Sequence, residues 1–128
     1  MKDRYLFRGQ CHRTGDWKIG TMQYINDERQ EIYINTRCID PKTIGQCTGL
    51  RDKNDNLIFE GDILSYAAVD SRTGSIYKGH TMGVVEYHDH HLTFWLSSAG
   101  SLAESLEFSA YKVIGNIHDN PELLESEV

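Results

Sequence analysis

The stretch from Cys47 to Tyr66 constrains this chain more than any other. An extended run from Ile44 to Leu50 leads into Asp52-Lys-Asn-Asp-Asn56, and the apolar run Leu57-Ile-Phe-Glu60 returns from it. Asp and Asn tolerate positive φ because their short polar side chains bond nearby backbone groups, so the five residues predict a turn between paired strands. Gly61-Asp62 then predicts a corner. Gly permits the kink sterically, and Asp satisfies local backbone donors. Ile63-Leu-Ser-Tyr-Ala67 follows as a strand in a new direction.

The rest of the chain can be argued outward from that corner. Tyr5 to Gly9 reads as a first strand, and Gln10 to Asp16 carries turn chemistry. Trp17 to Ile25 alternates, with Trp17, Ile19, Thr21, Gln23 and Ile25 on one side and Met22 and Tyr24 on the other, which makes it a hairpin partner for the first strand. A polar turn over residues 26–30 precedes a third strand from Glu31 to Arg37, and Asp40-Pro41 is a connection. Asp70 to His80 reads as a long polar loop. Thr81–Tyr87 and Leu92–Leu96 form the best-patterned hairpin, Ser98–Phe108 fits either a helical turn or a loop, and Tyr111–Ile117 is the last strand. Asn120 as cap with Pro121 at the first helical position predicts a short helix.

These elements predict an all-β, mainly antiparallel protein. Residues 1–59 would form an N-terminal sheet or hairpin portion, and residues 60–128 an SH3-like barrel closed by a short C-terminal helix. Eleven Gly against two Pro, with seven Tyr, agree with β structure rich in turns. No apolar run approaches the roughly 20 residues that span a bilayer, and no apolar stretch follows the first charged residues, so a cytoplasmic protein is expected. Cys11, Cys38 and Cys47 show no CxxC spacing and are expected to be reduced and structural. The net charge of -6 repels a phosphate backbone overall and points instead to protein partners, including copies of the same chain.

Several motifs together resemble one family. Phe7-Arg-Gly with Trp17 and Gly20, Cys47-Thr-Gly-Leu-Arg-Asp-Lys-Asn with Ile58-Phe-Glu-Gly-Asp-Ile-Leu, Gly83-Val-Val-Glu-Tyr, and Val113-Ile-Gly-Asn-Ile-His-Asp-Asn-Pro-Glu-Leu-Leu look like the YopX family of phage and prophage proteins. The resemblance spans nearly the whole chain. It implies a bacterial cytoplasmic setting, a mainly β fold with an SH3-type barrel, and homo-oligomers. It implies no activity and assigns no catalytic or binding residues.

The residues themselves offer three candidate sites. His88, His90 and His91, with Asp89 or Glu86, could meet a metal at a hairpin tip and so support a metal-dependent hydrolase. A solvated turn explains them as well, and no second ligand cluster accompanies them. Asp52, Asp55, Glu60 and Asp62 could hold a divalent cation, although turn and corner chemistry already accounts for their positions. Arg4, Arg8, Arg13 and Lys18, interleaved with Trp17, could bind a nucleic acid strand, but alternation makes the arginines the outward face of a hairpin. Signatures of phosphate loops, dinucleotide folds and nucleophile elbows are missing. The sequence thus favours a non-catalytic accessory protein that needs no cofactor, associates with itself and binds another phage or host protein.

Overall fold

Chemistry at the turns decides the topology. The computed structural model describes residues 2–26, 31–69, 76–88, 93–96, 100–101 and 111–125. Within them lie twelve strands: β1 (Phe7–Gln10), β2 (Trp17–Gly20), β3 (Met22–Asn26), β4 (Glu31–Ile34), β5 (Arg37–Ile39), β6 (Gly45–Arg51), β7 (Leu57–Phe59), β8 (Asp62–Val69), β9 (Ile76–His88), β10 (Thr93–Leu96), β11 (Gly100–Ser101) and β12 (Lys112–Asn116). A short helix α1 (Glu122–Glu125) follows, and single 3-10 turns occupy Lys2–Tyr5 and Pro41–Thr43. Every strand pair whose register is defined is antiparallel, so the all-β reading holds.

The chain divides into two units, Met1–Gly49 and Leu50–Val128. In the first, β1 pairs with β2 on one side and β6 on the other, while β3, β4 and β5 make a separate three-stranded sheet. Isolated pairing of Cys11 with Ile39, with His12 N donating to Cys38 O at 3.0 Å and Asp40 N to Gln10 O at 2.9 Å, joins the end of β1 to β5. Thr43, buried in the turn after Asp40, accepts from Gln10 N at 2.8 Å and donates to Asp40 O at 2.7 Å. Asp40 caps that turn by accepting from Lys42 N. Ile34, Ile39, Cys11 and Cys47 are buried here, and no disulfide joins the three cysteines.

Gly9 marks the closest approach in this unit. A Cβ at this position would overlap Cγ2 of Ile39, a fully buried side chain. Gly9→Ala is therefore expected to destabilise the protein by about 2 kcal/mol through overpacking, read as a lower denaturant midpoint at unchanged slope.

The second unit is a five-stranded sheet in the order β11-β10-β9-β8-β12. Ile58, Leu64, Val85, Leu96 and Tyr111 form its buried core, against which Leu50, Tyr66 and Val113 pack. The Tyr66 and Tyr111 rings meet edge to face at 5.4 Å between centroids. Leu50, near the end of β6, and Ile58, on β7, join this core, so the division between the units falls within β6.

The sheet is open among the described residues. No described pairing closes β11 on β12, so the SH3-like barrel expected from Glu60 onward is not seen among the described residues. The outer side of β12 meets the turn between β6 and β7, with Lys53 N donating to Tyr111 O at 3.0 Å and Asp52 accepting from Val113 N at 2.9 Å.

Four local readings change. Tyr5 closes a 3-10 turn, and the first strand begins at Phe7. Trp17–Ile25 is not one strand: it splits at Gly20 into β2 and β3, which belong to different sheets. Glu31–Arg37 is interrupted by a tight hairpin at Asn35-Thr36, both with positive φ (51° and 65°). Ile76–His80, expected within a loop, is the first part of the 13-residue β9, while residues 70–75 and 102–110 lie outside the described residues. Near the C-terminus, Asn116 Oδ1 accepts from His118 N and Asp119 N, each at 2.9 Å. Helix α1 starts just past Asn120 and Pro121, as the capping residues predict.

Candidate functional site

The acids of the opening stretch are the best-defined polar groups in the molecule. Asp52, buried, accepts from Asn54 N at 2.9 Å and Asn56 N at 2.8 Å through Oδ1. Through Oδ2 it accepts from Val113 N at 2.9 Å and Asn56 Nδ2 at 3.4 Å. Burial pushes its carboxyl up, but the Val113, Asn56 and Asn54 N–H groups outweigh that and hold it below the usual carboxylate range. Asp55 takes the positive φ of the turn (66°) and lies 3.7 Å from Arg51, an exposed pair of small energetic weight.

Asp62 serves the corner. Its Oδ2 accepts from Phe59 N at 2.7 Å, the carboxylate is almost wholly buried, and Gly61 before it sits at φ +90°, where a Cβ would be strained. Asp52 and Asp62 accept from backbone donors of their own turns, as turn and corner chemistry predicts, and Asp52 also from Val113 N on β12. Among the described residues no group of three His, Cys, Asp or Glu converges. His88 ends β9, opposite Thr93, while His90 and His91 lie outside the described residues.

The N-terminal cations are placed unevenly. Arg8 pairs with Ile19 and Gln10 with Trp17 across β1 and β2, so Arg8 and Trp17 are diagonal neighbours on one face. The Arg8 guanidinium lies 4.9 Å from the Trp17 ring centroid, a cation–π contact that occupies one face of the indole. Lys18, next along the strand, points to the opposite face and is half-buried. Arg13 is exposed in the turn between β1 and β2, and Arg4 belongs to the N-terminal 3-10 turn. The structure therefore brings Arg8 and Trp17 together, while Lys18 lies on the opposite face of the strand.

Two features escaped the sequence reading. The Cys11 thiol is held below its usual range by the N–H groups of Thr14 and Arg13 and by the Thr14 hydroxyl, with Arg37 adding to the effect. A cysteine entering a Thr-Gly-Asp turn was the available signal. The other feature is a set of exposed large apolar side chains: Tyr5, Ile19, Met22, Tyr87 and Ile117. Alternation placed Ile19 on a face of β2, yet it is 47% exposed because β2 is the outermost strand of its sheet.

Fold and site together define an antiparallel β protein of two units whose buried acids hold turns. A family model described as YopX protein matches residues 8–125, and the chain belongs to the YopX family. The crystal structure of protein EF1440 from Enterococcus faecalis is similar to it, with a TM-score of 0.59 and 27% sequence identity over 92% of this chain and 96% of that one. No curated protein matches the chain. Among the described residues, no helix is long and apolar enough to cross a membrane.

Proposed function

We propose that this chain is a non-catalytic phage or prophage accessory protein of the bacterial cytoplasm that associates with itself and binds a further protein. The observation that carries the reading is the exposure of Ile19, Met22, Tyr87 and Ile117 on or beside the strands of both units. Tyr and Met are enriched in protein interfaces, and exposed side chains of this kind can anchor a contact. The non-catalytic part is supported by Asp52, whose carboxylate accepts from three backbone N–H groups, and by Asp62, whose buried Oδ2 accepts from Phe59 N. Light scattering across a concentration series tests the reading: the mass per particle rises above that of the 14.7 kDa chain as concentration increases. A mass that stays at one chain throughout overturns self-association.

A further inference from the structure

Charge is divided unequally between the two units. Residues 1–49 hold eight Lys and Arg against six Asp and Glu, a net of +2, whereas residues 50–128 hold five against thirteen, a net of -8. Each unit also presents an exposed isoleucine, Ile19 in the first and Ile117 in the second. Ile19 lies opposite Arg8 on β1, and the β4–β5 turn reaches it through Asn35, whose Nδ2 donates to Ile19 O at 2.8 Å. Exposed Arg37 ends that turn, and the turn just before β2 carries exposed Arg13 and Asp16, so cations outnumber acids around Ile19. Ile117 is flanked in sequence by exposed Asp119 and Glu122, on the turn leading into α1.

We infer that the self-association proposed above is head to tail: the Ile19 face of one copy docks on the Ile117 face of another. The occupant is a second copy because the chain itself carries both complementary faces. With a net charge of -6, a symmetric contact between two acidic units is repelled, whereas a contact joining the +2 unit to the -8 unit is attracted. A heterologous contact of this kind closes into a ring or extends as a filament, according to the rotation per copy.

Two paired variants test it. Arg13→Glu with Ile19→Glu reverses and breaks the first face, and Ile117→Arg with Glu122→Arg does the same to the second. All four side chains are exposed, so the folds are expected to survive, which circular dichroism checks. Each variant alone is expected to be monomeric by sedimentation velocity, and an equimolar mixture to reassociate, because each supplies the intact face that the other lacks. Raising salt from about 50 to about 500 mM weakens the wild-type association by about tenfold or more. If the first pair misfolds, Arg13→Glu with Arg37→Glu takes its place. A wild-type oligomer that ignores salt and persists in both variants, or a mixture that stays monomeric, overturns the head-to-tail contact and leaves self-association standing. Wild-type protein that is monomeric at every salt and concentration overturns both.

Discussion

Replacing Asp52 by alanine lowers the unfolding free energy by about 3 kcal/mol at neutral pH, the largest loss expected from any single polar residue here. Three backbone N–H groups, those of Asn54, Asn56 and Val113, lose their acceptor at once, and the site is buried. Asp52→Asn keeps one carbonyl oxygen and is expected to lose about half as much. The pH dependence carries the signature of a carboxylate held below its usual range. Because the folded carboxyl resists protonation more than the unfolded one, its stabilisation is complete above the ordinary value of about 4 and fades as pH falls through that value toward the folded one. Urea melts of wild type and D52A should therefore differ by a constant amount from neutral pH to about pH 5, then converge below about pH 4. Parallel curves down to the acid limit would refute the assignment.

Ile58→Ala is expected to cost about 3 kcal/mol, and Ile58→Val about 1 kcal/mol. Ile58 is fully buried among Leu64, Val85, Leu96 and Tyr111, so truncation leaves a cavity bounded by side chains from β8, β9 and β10 and by Tyr111 just before β12. Where the damage falls is as informative as its size. Native-state hydrogen exchange should speed up in β8, β9 and β12, because Ile58 and the side chains it packs against lie in the second unit. Faster exchange confined to β1 and β2 would instead couple Ile58 to the first unit.

Much of this was legible. The turn Asp52–Asn56, the corner at Gly61-Asp62 and the pairing of β9 with β10 follow from side-chain types that have few alternatives at those positions. Three things were not legible, each for a physical reason. The Asn35-Thr36 hairpin hides behind a β-branched residue at positive φ, which sterics disfavour and which tertiary contacts, including the Asn35 bond to Ile19 O, hold in place. The passage from β2 to β3 leaves the period-two pattern intact across Gly20, so alternation cannot show that the chain changes sheets. The bond from Val113 N to Asp52 spans 61 residues, and nothing local in the sequence announces it. That bond is also why a turn read as joining two strands belongs equally to a third. For the candidate site, residue types located the structural acids correctly, but the exposed isoleucines became visible only once the outermost strands were known.

The side chains set against the outermost strands bear on a hazard common to β proteins. Asn35 Nδ2 occupies the carbonyl of Ile19 on β2, and Asp52 occupies the amide of Val113 on β12. A fibril grows when unpaired backbone groups along a strand template the next chain by cross-β stacking. At these two positions the template is interrupted by a short polar side chain of the same molecule. An exposed isoleucine can then sit beside a strand edge and contact another copy through its side chain, without inviting that copy's backbone to extend the sheet.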